Sequence, residues 1–379
     1  MAIQVFVPKF RTEECLAEIR ECLDKSWTGM GFKTQIIEEK WNEYTGLPHS
    51  HFLNSNTVGL HLAFNLFKSH YGWQDDDEVI TTPLTFISTN HAIVYEKLKP
   101  VFADVDNSSC LSPESIEARI TAKTRAVIYV GLGGNTGRLE EVASLCKKHN
   151  LKLILDAAHM AGTRYNGKHI GHEADVTIFS FQAVKNLPTA DSGMICFKDK
   201  LFDEECRKLT WLGINKDTFA RTTKQGNYKW KYDVENIGFK YHGNSIMASL
   251  GIVALKYLDE DNQYRRKLAS EYKANLAKIP QIAFVEEIAG CESAQHLFQI
   301  MVEERDDLLN YLQENEIFPG VHYRDNTEYK PYAYGFGTCP NAHRISEQVI
   351  SLPLHLHLES EDIAHICETI RQFYIKSAL

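Results

Sequence analysis

Lys152-Leu-Ile-Leu-Asp156-Ala-Ala-His159 and Val176-Thr-Ile-Phe-Ser180-Phe-Gln-Ala-Val-Lys185-Asn186 are the two stretches on which the fold of this chain turns. Each is a short apolar run that stops on a polar side chain, the pattern of a strand buried on both faces. Upstream the pattern repeats: EVITTP, PVFADVD and RAVIYVG read as strands, and the spans 58–69, 88–97, 112–121 and 139–149 read as the helices between them. Strands alternating with helices imply a mostly parallel sheet covered on both sides. Ligands of such sheets bind beyond the carboxyl ends of the strands, which is where Asp156 and Ser180 stand.

Outside this α/β core, residues 11–25 space Cys15, Leu16, Ile19, Cys22 and Leu23 as an amphipathic helix, and Trp27-Thr-Gly-Met-Gly31 ends it in a loop. Gln35 to Tyr44 predicts a second helix, and the segment 201–237 shows little periodicity. A helix over 244–279 opens on Asn244-Ser245 as its cap. The remainder, with FQIMVE, a helix at 304–315, IFPGVHY, VISLPLH and a final helix at 360–376, predicts a smaller α/β domain. The expected division is a large domain over 1–245 and a small C-terminal domain over 246–379, since 379 residues exceed the usual size of one hydrophobic core.

With 44% hydrophobic and 24% charged residues the chain is of the ordinary globular class. A net charge of −9 argues against a nucleic-acid partner. No run of about 18 apolar residues and no signal-like N-terminus occur, so neither membrane nor secretion is expected and the location reads as cytoplasmic. Nine cysteines without a Cys-x-x-Cys read as reduced packing residues, and no His-Glu-x-x-His is present, so no metal is expected.

The chemistry starts from Lys185. A lone lysine of this kind is ordinarily a surface residue, but one that follows a buried strand among apolar neighbours is desolvated and becomes a candidate Schiff-base nucleophile. Asp156, ending the other strand, places a carboxylate where a pyridine nitrogen would need it, as in pyridoxal-5′-phosphate (PLP) enzymes. Ser55-Asn56-Thr57 at a helix start supplies N–H groups and hydroxyls for a phosphate, with Ser180 as a further hydroxyl. Phe86, after EVITTP, is a candidate to stack on a ring face.

The order SNT at 55, PLTF at 83, LDAAH at 155, SFQAVKN at 180, GFKYHGN at 238 and GVHY at 320 resembles the DegT/DnrJ/EryC1/StrS family of aminotransferases over nearly the whole chain. The resemblance implies a fold-type-I PLP-dependent transferase with a seven-stranded-type sheet, commonly a homodimer. It implies an enzyme that aminates a keto group of a nucleotide-linked sugar with glutamate or glutamine as donor. Lys185 would carry the cofactor covalently, Asp156 would pair with the ring nitrogen and His159 would lie near the phenolic oxygen. Ser55, Thr57 and Ser180 would hold the phosphate, with Asn56 beside them, and Phe86 would cover the ring.

Several positions depart from the family. Asn56 stands where glycine is usual, Ala190-Asp191-Ser192-Gly193 replaces Gly-Glu-Gly-Gly, and Val130-Gly-Leu-Gly-Gly-Asn-Thr136 replaces a Pro-containing strand end. Phe239-Lys240-Tyr241-His242 replaces Tyr-Asn-Tyr-Arg, so Lys240 or His242 is the candidate for a partner subunit's phosphate. For the acceptor the candidates are His322 and Arg324 with the Trp27–Gly31 loop, and Asn186 beside the lysine. A small phosphorylated ketone is the alternative acceptor. A PLP-dependent sugar dehydratase, which has histidine in place of the lysine, and a non-catalytic PLP-binding regulator are the alternative functions.

Overall fold

The computed structural model describes residues 2–215 and 232–377. Its centre is a seven-stranded sheet in the order His49–Leu53, Gly193–Phe197, Val176–Ser180, Lys152–Asp156, Thr124–Val130, Glu78–Thr81, Lys99–Phe102. Gly193–Phe197 runs antiparallel to both its neighbours, and every other adjacent pair is parallel. Side chains alternate between two buried faces, which is why the strands read as unbroken apolar runs. Leu153 and Leu155 join Val127 and Tyr129 on one face, while Ile154 joins Ala126 and Ile128 on the other. The first face is covered by the helices Phe32–Thr45, Leu139–Lys148 and Ser245–Lys256, the second by Asn56–Tyr71, Ile87–Tyr95 and Lys200–Thr210.

The register gathers the strand ends that matter. Leu53 lies opposite Gly193, Gly193 opposite Ser180, and Val130 opposite Asp156. A Cβ on Gly193 would stand 2.8 Å from the Asn56 nitrogen and 2.7 Å from the Phe179 oxygen, so only glycine lets this strand pass so close to the helix start at Ser55.

The smaller layer is an antiparallel sheet of Ala283–Phe284, Phe298–Met301 and Val349–Leu352. It packs on the helices Leu258–Leu276, Arg305–Glu314 and Ser360–Ser377. Gly320 bridges to Ser351, which hangs the 320–323 segment on this sheet. Ile3–Gln4 pairs with Ile317–Phe318, so the first residues of the chain belong with its last third.

Two expectations need correction. The helix expected over 244–279 is two helices, broken at Tyr257; its start is capped as read, with the Asn244 side chain accepting from the Met247 N–H at 3.0 Å. The segment 201–237 is not irregular at its start. Lys200–Thr210 is a helix capped by Asp199, and Phe202, Cys206 and Leu209 lie buried on one side of it. Residues 216–231 of that segment lie outside the described residues. The antiparallel strand Gly193–Phe197 and the helix Pro340–Gln348 have no counterpart in the sequence reading.

Ala248, Ile252 and Leu258 pack under the large sheet, whereas Leu268, Tyr272 and Leu276 pack under the small one. We therefore propose a domain division within the helical run 245–276, between Leu258 and Leu268. All nine cysteines are free, and all but Cys291 are buried. No helix among the described residues is long and apolar enough to cross a membrane.

Trp41 is fully buried and meets Phe179 and Phe181 edge-on at 4.9 and 5.1 Å, tying the helix Phe32–Thr45 to the sheet. Trp41→Ala is expected to cost about 3–5 kcal/mol, read as a lowered urea midpoint. Leu23→Ala, at an exposed position, should stay within about 0.5 kcal/mol of the parent.

Candidate active site

At the carboxyl ends of the parallel strands lies a cavity of about 450 Å³. Asp156 forms its floor. The carboxylate is buried, and among the described residues its hydrogen-bond donors are neutral: Thr89 Oγ1 to Oδ2 at 2.8 Å, and the Ala158 N–H and Asn56 Nδ2 to Oδ1 at 3.2 and 3.3 Å. Burial raises the Asp156 pKa, and these donors together with the charge of Lys185 oppose the shift. A carboxylate held this way lacks a cation, which the protonated nitrogen of a pyridine ring would supply.

Lys185 stands on the wall. It is half-buried and also lines a second, smaller cavity behind the wall. Desolvation brings its pKa down to about 8, against the pull of Asp156. The loop that carries it turns back on the Lys185 N–H, which donates to the Gln182 carbonyl at 2.8 Å.

Ser55, Asn56 and Thr57 line the cavity at the start of the helix Asn56–Tyr71, where free N–H groups and the helix dipole favour an anion. Ser55 is the cap, its Oγ accepting from the Val58 N–H at 3.4 Å. Ser180 lines the same end. Asn56 does something other than expected. Its side chain is buried and turns down into the sheet, donating to Asp156 and to the Ile178 carbonyl at 3.2 Å. The side chain is therefore a positioning group for Asp156, and the hydroxyl-bearing Ser55, Thr57 and Ser180 line the cavity beside it.

Phe86 is 58% exposed at the cavity mouth, its ring 5.9 Å from that of Tyr323. His159 lies above Asp156. The Gly133 N–H donates to its Nδ1 at 3.1 Å, so the ring proton sits on Nε2 and points to Tyr323 Oη at 3.2 Å. Gly133 and Gly134 make this turn with φ of 67° and 95°, a left-handed conformation that explains the glycines at 133 and 134. Burial holds His159 and His296 well below the usual imidazole range, and His322 at about 4, with the charge of Lys185 adding to each. Three neutral imidazoles thus face the lysine.

His322 is the one acceptor candidate that lines the cavity, its Nδ1 2.9 Å from Ser351 Oγ. The others lie elsewhere. Asn186 is buried behind the wall, donating to Asn262 and the Ala294 carbonyl and accepting from His296 Nδ1 at 2.9 Å, so it orients His296. Arg324 is on the surface, paired with Glu328. Trp27 closes its own loop by donating to the Met30 carbonyl at 2.8 Å, and Gly29 of that loop accepts from Ser245 at the start of a helix. Lys240 holds its ammonium 3.1 Å from the centre of the Trp211 ring and is not part of the cavity wall.

Sequence reasoning missed Tyr323, Thr89, His296 and Phe6. Tyr323 ends the GVHY motif and was within reach. Thr89 sits in the first turn of a helix, and Phe6 and His296 come from distant parts of the chain, so no local pattern marks them.

The chain is similar to known proteins over nearly its whole length. Residues 10–371 match the sequence profile of the DegT/DnrJ/EryC1/StrS aminotransferase family. The spore coat polysaccharide biosynthesis protein SpsC of Bacillus subtilis is 32% identical over 373 residues, covering 95% of this chain and 94% of that one. The crystal structure of the aminotransferase TlmJ from Streptoalloteichus hindustanus superposes with a TM-score of 0.91 at 28% identity over 100% of both chains. The PLP form of the putative sugar aminotransferase Spr1654 from Streptococcus pneumoniae gives 0.90 at 27% identity over 99% of each.

Two measurements test the electrostatics. Because Lys185 titrates near 8 in the folded cofactor-free protein and near 10.5 when unfolded, the unfolded chain binds more protons between those values. Stability attributable to this residue should rise with pH across that window, by up to ~3 kcal/mol. The rise should vanish in Lys185→Met, as seen in urea midpoints of the two proteins. Asn56→Ala removes one donor from Asp156 and should weaken binding of PLP to the cofactor-free protein by about threefold to tenfold, measured by calorimetry.

Proposed function

The chain belongs to the DegT/DnrJ/EryC1/StrS aminotransferase family, and on that premise we propose that this PLP-dependent enzyme moves an amino group from glutamate or glutamine to a keto group of a nucleotide-linked sugar. The observation that carries the reading is Lys185, an amine that desolvation brings to a pKa near 8, in the same cavity as a buried carboxylate whose hydrogen-bond donors among the described residues are neutral. When bound, PLP supplies an electron sink for the charge left on carbon after a proton is removed.

The chain's own residues divide the remaining work. Asp156 would keep the ring nitrogen protonated, its carboxylate aimed by Thr89, Ala158 and Asn56. Ser55, Thr57 and Ser180 would hold the phosphate at the helix N-terminus. His159 and Tyr323 would contact the phenolic oxygen, and Phe86 would cover the ring. Lys185 is the covalent anchor and the proton carrier: a pKa near 8 leaves part of the amine neutral close to neutral pH, so it can take a proton from the substrate carbon and return one. The three neutral imidazoles add no positive charge against its ammonium form.

The similarity to SpsC, a spore coat polysaccharide biosynthesis protein, supports a sugar as acceptor. His322 lines the cavity and is the acceptor contact we propose from this subunit. We also propose a homodimer in the cytoplasm, with Lys240 reaching the partner subunit's phosphate. Leu212, Val234 and Ile237 near Lys240 are exposed, Ile237 by 96%, which supports an apolar surface covered by a second copy.

Borohydride treatment of the purified enzyme should fix the cofactor to the peptide that contains Lys185, and mass spectrometry reads this directly. Lys185→Ala should fold, bind no cofactor covalently and lose about a hundredfold or more in transamination rate. A nucleoside diphosphate should compete with the acceptor; competition by inorganic phosphate alone would favour a small phosphorylated ketone. Mixed dimers of Lys185→Ala with Lys240→Ala should regain one working site, and an intact mixed dimer without activity would remove Lys240 from the partner's site.

A further inference from the structure

Behind the wall of the catalytic cavity, Arg265 on the helix Leu258–Leu276 is only 8% exposed. Its guanidinium makes one long hydrogen bond among the described residues, Nη1 to Asn262 Oδ1 at 3.4 Å, and that oxygen already accepts from Asn186 Nδ2 at 2.8 Å. The adjacent acid, Asp261, is bound on both oxygens by Arg11 at 2.6 Å. Buried guanidinium groups are normally paired and hydrogen-bonded. This one faces a small cavity of about 10 Å³ that it shares with Phe6, Pro8, Lys185 and His296, enough for a single water-sized sphere.

We propose that this cavity is a binding site for one monatomic anion of the chloride class, held by Arg265. Charge decides between an anion and water. Asp261 is the one acid among the described residues that line the cavity, and both its oxygens are taken by Arg11, so its charge is shared and the positive charge of Arg265 is left in excess. His296 and His355, also at the wall, are buried imidazoles whose pKa values burial lowers, so they stay neutral and leave the charge of Arg265 as it is. A water would satisfy donors and leave the charge, whereas a halide does both. Size decides between a halide and a carboxylate, since the space admits one atom and a carboxylate brings three heavy atoms.

The site adjoins the chemistry. Phe6, Val184, Lys185 and His296 line both cavities. A chain of hydrogen bonds runs from Arg265 through Asn262 and Asn186 to His296 Nδ1. An ion in the cavity is therefore in the electrostatic environment of Lys185 while lying outside the space for substrate.

Crystals of the holoenzyme in sodium bromide test this directly. An anomalous peak in the cavity within hydrogen-bond distance of the Arg265 guanidinium is expected. A cavity without anomalous density, or one filled by a glutamate carboxylate when crystals are soaked in glutamate, would overturn the assignment. In solution, the thermal midpoint of the holoenzyme should rise saturably with sodium chloride or bromide relative to sodium gluconate at equal ionic strength. The halide affinity so obtained should fall about tenfold or more in Arg265→Met. Equal midpoints in all three salts would equally overturn it. If Arg265→Met does not fold, the bromide diffraction of the unaltered protein decides alone.

Discussion

A carboxylate sealed at the end of a parallel strand is the constraint around which this protein is arranged. Removing Asp156 from water is expensive, and no side-chain cation among the described residues lies within hydrogen-bond distance of it. It is kept by three neutral donors from three places: Thr89 in the first turn of the helix after one strand, the Ala158 N–H just past its own strand, and Asn56 at the start of a helix that follows a third. Each donor arrives only because the sheet register is correct. Gly193 is part of the same constraint, since any larger residue there would push the antiparallel strand away from Asn56 and Ser55.

The second layer of the molecule completes the electrostatics. The small sheet and its loops bring His296, His322 and Tyr323 over the site, and the N-terminal Phe6 stacks on His296 at 5.3 Å. These groups exclude water from Lys185, and the loss of hydration lowers the amine's pKa. The same burial keeps the imidazoles neutral, so the lysine is surrounded by polar groups that can orient a substrate without opposing its charge. Activating the amine and closing the active site are thus consequences of one packing event between the two layers.

Asn56 illustrates how a departure in a motif can be absorbed. A side chain at a position where glycine is usual would obstruct an anion if it pointed outward. Here it turns inward, fills space beside Ile178 and gives a hydrogen bond to the buried acid.

What the sequence determined by itself is the local grammar. Apolar runs ending on Asp156 and Ser180, the capped helix at Ser55 and the desolvated Lys185 were all legible, because strand burial and helix capping depend on neighbours in the chain. The family resemblance followed from the order of those motifs, and the matched profile over residues 10–371 agrees with it. The antiparallel strand at Gly193 was not legible, because its buried run looks the same in either direction and only pairing sets the sense. Nor were the places of Asn186, Trp27, Arg324 and Lys240. Within this subunit Asn186 meets His296, Trp27 the Met30 carbonyl and Arg324 Glu328, while Lys240 holds its ammonium over the Trp211 ring. Which partner a polar side chain meets is decided by contacts between residues far apart in the chain. Those contacts exist only once the two layers have packed, which is why tertiary structure alone assigned them.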